Sequence, residues 1–324
     1  MTSHPNLVIC VAGEGSRHAQ WIAAAGRRYD VWLVCEPDTD VGDLPDDIRV
    51  FDTTPHNPPW AVLHAVLEAT EADWAGYQHV FFAADDLDAT PEELQQVFDL
   101  ATANELQVAQ PSLGWRSHFG AAVTLHNPSF GLRYTNRVDT GALCLEAGLL
   151  RELMPLLKSD PWGTALGRIL PALLPNPVRG AAVLDSVQVL RTRPLPGFSK
   201  DAIATGIATA GLLGVRDEAE FSWSGVAIDG SVLSLFDSTR DHFLGRLAAG
   251  YTAAVQESQV IGDVFIAHLL RSFDGAPKSA ASAEPDPAAK PAPLPQLRRS
   301  PIAGVDVAEI AAKQHRAALA ESRA

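Results

Sequence analysis

In the first half of this chain, short β-branched or aromatic runs alternate with stretches of helical spacing. Parallel strands need a long crossover between them, usually a helix, so the pattern predicts βαβ units around a mainly parallel central sheet flanked by helices. Strands are expected over 7–12, 30–35, 49–51, 79–83, 107–110, 121–125, 132–138 and 182–190, and helices over 16–27, 59–70, 91–103, 147–158 and 161–173. Two helix starts follow from local chemistry. Thr90 can cap, Pro91 sits where a missing N–H costs nothing, and Glu93 occupies the return position of a capping box. Asp160-Pro161 is a weaker version of the same device.

After Arg193 the pattern turns mostly helical, with a segment over 198–213, a strand-like stretch over 226–228 before Asp229-Gly230, and a helix from Thr239. The expected organisation is an α/β domain over 1–195, a mostly helical extension packed on it over 196–274, a disordered Pro/Ala-rich linker over 275–300, and a C-terminal helix over 301–324. Asp306 can cap that last helix, Glu309 can complete the box, and Val305 can staple onto Ile310. It is read either as a docking helix, for a protein partner or for the body of the chain, or as a solvated tail.

A net charge of −14 over 324 residues disfavours a general nucleic-acid surface, which needs clustered Lys and Arg. Cys10, Cys35 and Cys144 are widely spaced, and Cys10 and Cys35 fall in apolar strand-like runs, so buried reduced thiols are expected rather than a metal site. The chain enters its first strand without the basic start and long apolar stretch of a signal peptide, and the expectation is cytoplasmic. No run reaches the roughly 18 apolar residues of a spanning helix.

The best candidate for a ligand site is the turn Ala84-Asp85-Asp86-Leu87-Asp88, between the apolar run 79–83 and the helix that starts at Thr90. In open α/β sheets ligands bind outside the carboxyl ends of the strands, and clustered carboxylates there can hold Mg²⁺ or Mn²⁺. Such an ion would neutralise a departing diphosphate as a Lewis acid. The alternative is that Asp85, Asp86 and Asp88 only solubilise a loop and favour the positive end of the next helix. On the metal reading Asp86→Asn leaves the fold nearly as stable as before, because it relieves crowding among carboxylates. Gly13-Glu14-Gly15-Ser16 has the position of a dinucleotide loop, but His18 stands where a third glycine belongs, so a tight turn is the more natural role. His18, His118 and His126 lack zinc spacing, and Trp115, Phe119, Phe130 and Tyr134 read as core or as stacking residues.

Several segments together resemble an uncharacterised glycosyltransferase-like family of plants and bacteria, known as a domain of unknown function. They run from Asn6-Leu7-Val8, with Ser16, His18 and Trp21, through Tyr29-Asp30-Val31-Trp32, Val80-Phe81-Phe82 before Asp85-Asp86-Leu87, and Gln110-Pro111-Ser112-Leu113. Asn127-Pro128-Ser129-Phe130, Arg133-Tyr134-Thr135-Asn136, Trp162-Gly163 and Asp185-Ser186-Val187 with Thr192-Arg193-Pro194 complete the set. The resemblance implies a GT-A-like, Rossmann-type fold, a nucleotide-sugar donor with an unknown acceptor, and an acidic metal motif. Three departures fall where catalysis is expected: the first of three aspartates is Ala84, a carboxylate is replaced by Ala165, and a histidine by Arg191.

The assignment carried forward is a divalent metal on Asp85, Asp86 and Asp88, with Gln110, Ser112, Trp162, Asp185, Arg191 and Arg193 on the substrate. Arg191 and Arg193 would counter phosphate charge, and Asp185 would orient ligand or metal. The alternatives are a degenerate nucleotide-sugar or carbohydrate-binding protein that lost turnover, and a scaffold recruiting a partner through its C-terminal helix.

Overall fold

The computed structural model describes residues 4–258 except 23–26, 37–38, 54–57, 196 and 216–219. The expected linker and C-terminal helix lie outside the described residues.

Eleven strands are described: β1 Asn6–Ala12, β2 Asp30–Cys35, β3 Arg49–Asp52, β4 His79–Ala83, β5 Leu87–Asp88, β6 Val108–Leu113, β7 Phe130–Thr135, β8 Ala142–Glu146, β9 Ala181–Arg191, β10 Ser222–Ala227 and β11 Val232–Ser234. The helices are α1 Ala19–Ile22, α2 Pro59–Ala69, α3 Glu71–Trp74, α4 Pro91–Ala103, α5 Ala147–Ser159, α6 Leu166–Leu173, α7 Pro177–Gly180, α8 Lys200–Leu212 and α9 Arg240–Ser258. The strand order is β11-β10-β7-β9-β6-β8-β4-β1-β2-β3, and β5 pairs off that path with β9.

Both faces of the central strands are covered, which is why they read as continuous apolar runs. Alternate residues divide between two core layers: Val8, Cys10 and Ala12 of β1 face one, Leu7 and Ile9 the other. Helices α1, α4 and α9 supply the first layer with Trp21, Phe98 and Phe243; α2, α5 and α6 supply the second with Trp60, Leu153 and Ile169. Truncating one such side chain, Phe98→Ala, costs about 3–5 kcal/mol. The Thr90 capping box forms as expected, with Glu93 N–H donating to Thr90 Oγ1 at 3.2 Å and Thr90 N–H to Glu93 Oε2 at 2.7 Å. All three cysteines are free and buried, and burial pushes each thiol above its usual pKa.

The sheet is mixed, which corrects the mainly parallel expectation. β1 runs parallel to β2 and β4, β2 to β3, and β6 to β9, whereas β8 is antiparallel to β4 and β6, and β7 to β9 and β10. Helix α4 crosses over between β4 and β6, which run in the same direction, and β8 enters the sheet between those two strands and runs against both, which interrupts the parallel series. Beyond Leu195 the described residues up to 258 form helices α8 and α9 and also add β10 and β11 to the edge of the same sheet.

Three local expectations shift for identifiable reasons. Residues 121–125 form a 3-10 turn at Ala122–Thr124 instead of a strand, with Thr124 Oγ1 donating to Ala121 O at 2.6 Å. The helix expected from Pro161 starts at Leu166, because Gly163 takes a left-handed φ of 69° and the Asp160 carboxylate caps the turn instead, accepting from Ala165 N–H at 2.8 Å. β6 runs on through Pro111, where the register with β9 jumps from Pro111↔Leu184 to Ser112↔Gln188. A proline has no N–H for the ladder, and β9 bulges there, carrying Asp185 out of the pairing.

Candidate functional site

The chain leaves β1 toward β2 and β3 on one side and returns as β4 on the other, so the strand order switches direction between β1 and β4. A crevice of about 1320 Å³ opens at the carboxyl ends of these strands. It is lined by the Gly13–Gly15 turn after β1, Glu36 after β2, Thr53 after β3, and Ala84 and Asp85 after β4. This is the location where ligands of open α/β sheets bind. Ser16 N–H donates to Gly13 O at 3.1 Å, and Gly15 adopts a φ of 70°, so the glycine turn is tight as expected. A Cβ on Gly13 would stand 3.3 Å from Asp85 Oδ2, so glycine lets the two strand ends close up. Trp60, Leu63 and Trp162 form an apolar wall, and Arg137, Asp139, Arg168, Arg191 and Arg193 line the crevice from later in the chain.

The three aspartates of the acidic turn do not converge; each meets a different arginine. Asp86 is 2% exposed, and its Oδ1 accepts Arg191 Nε at 2.7 Å while its Oδ2 accepts the Arg193 backbone N–H at 3.0 Å. Pairing of β5 with β9 sets Leu87 opposite Arg191, which brings the guanidinium to Asp86. Thr192 completes the seam, donating from Oγ1 to Asp86 O at 2.9 Å. Asp85 forms an ion pair with Arg193 at the crevice surface, and Asp88 pairs with Arg17 at 2.9 Å, away from the crevice lining. A divalent cation needs oxygen ligands turned toward one point, and here both Asp86 oxygens are held by N–H donors. Among the described residues no group of three or more His, Cys, Asp or Glu side chains is arranged to hold a metal ion. The donor set does not fit Mg²⁺ or Mn²⁺ as these side chains stand.

Of the residues assigned to substrate, Trp162, Arg191 and Arg193 line the crevice. Gln110, Ser112 and Asp185 are outside that lining and buried. The Gln110 side chain accepts from Asp139 N–H and donates to Pro111 O, and Ser112 Oγ donates to Val187 O at 2.9 Å. Asp185 grips Arg133 from two sides, at 2.6 Å to Nε and 2.9 Å to Nη2. Arg133 also donates to Val123 O, Leu125 O and Tyr251 Oη, so the bulge in β9, the 3-10 turn and α9 are tied at one point. Burial alone would lower the Arg133 pKa, but Asp185 and Tyr251 outweigh it and raise it. Ala165, where the resembling family has a carboxylate, is 1% exposed and absent from the crevice lining. His18 is buried between Ser16 Oγ and Val41 O, and Phe130 is core.

Sequence reasoning missed Glu36, Arg137, Asp139 and Arg168. Asp139-Thr140-Gly141 had a readable signal: a turn triplet directly before the apolar run of β8. Its Oδ1 accepts the Gly141 N–H at 2.7 Å and Arg191 Nη1 at 3.1 Å. Arg191 therefore bridges Asp86 and Asp139, and a Cβ on Gly141 would overlap its guanidinium.

No protein-family profile matches the sequence, and no curated protein does. Among solved structures the chain is similar to S. aureus TarS 1–349, at 13% identity, with a TM-score of 0.32 over 45% of this chain and 48% of that one. For TarS 1–349 in complex with UDP-GlcNAc the TM-score is 0.42 at 13% identity, over 66% of this chain and 68% of that one. The first match spans about half of the TarS chain, 48%. At these values the similarity says nothing of the site, which stands on its own geometry. Among the described residues no helix is long and apolar enough to cross a membrane.

Proposed function

We propose that the crevice binds a nucleoside-diphosphate sugar, with the guanidinium of Arg193, backed by Arg191, meeting the diphosphate in place of a metal ion. The observation that carries this reading is a large crevice at the switch point between β1 and β4 with arginines in its lining and Asp86 closed by N–H donors. The Arg193 side chain is 45% exposed and pairs with Asp85, itself 28% exposed, so exchange of that carboxylate for a phosphate needs no rebuilding of the core. Guanidinium groups match phosphate oxygens in a forked geometry. Glu36, at the end of β2, is placed as acidic residues that contact ribose hydroxyls are in this class of sheet. Trp162 at the rim offers a face for a sugar ring.

Transfer of the sugar to an acceptor hydroxyl is the reaction this arrangement would serve: as the diphosphate leaves, negative charge builds on the bridging oxygen beside a fixed cation. The second reading is a protein that holds the nucleotide sugar without turnover, favoured by Ala84, which lines the crevice where the resembling family has an aspartate. Thermal shift against UDP- and GDP-sugars, UDP-GlcNAc among them, tests the binding, since a ligand that binds only the native state raises its apparent stability. At least one of them should raise the melting temperature at millimolar concentration, and no shift with any would remove the reading. Donor consumption in the presence of candidate acceptors then separates transfer from holding.

A further inference from the structure

We propose that Asp139 is the residue that recognises the sugar of the bound ligand, through one hydroxyl donated to its Oδ2. The inference rests on the nucleotide-sugar reading and assigns the sugar end of the same crevice. Asp139 lines the crevice yet is only 8% exposed, so it presents one edge and no more. Its Oδ1 is held by Gly141 N–H at 2.7 Å and Arg191 Nη1 at 3.1 Å, and its own N–H donates to Gln110 Oε1. Among the described residues none donates to Oδ2. A carboxylate oxygen is only an acceptor when ionised, so the group that fits is a donor, and a sugar hydroxyl is one. A glycine borders the open side: a Cβ on Gly120, which also lines the crevice, would lie 4.0 Å from Oδ2. The rigidity matters, because an oxygen already fixed in place loses little entropy on accepting a hydrogen bond.

Arg191 also joins this carboxylate to Asp86, at 3.1 Å and 2.7 Å respectively, so the sugar contact and the acidic turn share one cation. Asp139 carries a negative charge that a diphosphate would avoid, and this places it at the sugar end rather than the phosphate end of the ligand.

The test is Asp139→Asn, measured by calorimetric titration with UDP and with whichever UDP- or GDP-sugar shifts the wild type, using the matching nucleoside diphosphate in each case. Two donors, from Arg191 and Gly141, keep the amide oxygen on the Oδ1 side, so the new NH₂ faces the crevice where an acceptor stood. The variant should lose at least tenfold in affinity for the nucleotide sugar while holding or gaining affinity for the free diphosphate. Gly120→Leu gives the same reading without touching the ion-pair network: its Cβ would lie 3.4 Å from Leu195 Cδ1 and 4.0 Å from Oδ2, both ordinary contacts, and the longer side chain beyond it takes up the space beside Oδ2. It should weaken the sugar nucleotide and not the diphosphate. If both ligands bind the wild type and neither variant changes their ratio, the Asp139 assignment is wrong while the nucleotide-sugar reading stands. If neither ligand binds the wild type, both are overturned.

Discussion

Two arginine–aspartate networks each take one member from β9, Asp185 in one and Arg191 in the other, and they differ in what surrounds them. Arg133 and Asp185 are both sealed, with side chains 0% exposed, and every Arg133 nitrogen has an acceptor. Arg191 stands against Asp86 and Asp139 in the crevice lining, with 8% of its side chain exposed, and the more open pair of Arg193 and Asp85 lines the same crevice. The first network is a clasp holding the β9 bulge, the 3-10 turn and α9. The second is a clasp with one side open to a ligand. Burying a charge pair is costly and breaking it costs more, so the sealed pair reports on the fold and the half-open one on function.

If that contrast is right, the largest stability loss belongs to the sealed network. Asp185→Asn leaves Arg133 with a buried charge and no counter-ion, and should cost about 3–5 kcal/mol in urea denaturation. A loss below about 1 kcal/mol would mean that the carbonyls and Tyr251 suffice without the carboxylate. Asp86→Asn should cost less, about 1–3 kcal/mol, because Arg191 keeps Asp139. This reverses the expectation from sequence, which had Asp86 crowded by like charges; the structure surrounds it with N–H donors instead. An unchanged or raised melting temperature for Asp86→Asn would restore the crowded-carboxylate picture.

Tyr251→Phe should weaken the same clasp by about 1 kcal/mol, the worth of one hydrogen bond from Arg133. Burial first, against the pull of Arg133, pushes the Tyr251 hydroxyl up to about 12. The unfolded tyrosine ionises near its ordinary value of about 10, so this contribution is complete below that pH and is lost as pH rises toward the folded value. Wild-type stability should therefore fall more steeply than that of Tyr251→Phe between roughly pH 10 and 12. Parallel pH profiles would remove Tyr251 from the account. The smallest stability effect belongs to Arg193→Gln: its pair with Asp85 is exposed, and the change should stay within about 0.5 kcal/mol. Its effect should show instead in ligand affinity, at least tenfold weaker, about 1.4 kcal/mol.

Much of the scaffold was legible in the sequence. Strands β1, β2 and β4 are runs whose every other residue enters one of two core layers, and the Thr90 box is purely local chemistry. What was not legible depends on long-range register. β5 has only two residues, too few for any pattern, yet its pairing with β9 decides that Arg191 meets Asp86. The bulge that hands Asp185 to Arg133 follows from a proline in the neighbouring strand, and β8 enters the sheet between β4 and β6, a placement that no local pattern announces. The acidic turn was therefore located correctly at a strand end beside the crevice, while the partners of its carboxylates, supplied from residues far along the chain, could not be read.

Whether arginine stands where a metal ion was expected is decided by calorimetric titration of the wild type with a binding nucleotide sugar in EDTA and in Mn²⁺. With arginine in that place, affinity is equal in the two buffers, within about twofold or 0.4 kcal/mol. Affinity that falls tenfold or more when Mn²⁺ is withdrawn would contradict it and return Asp85 and Asp86 to the role of metal ligands.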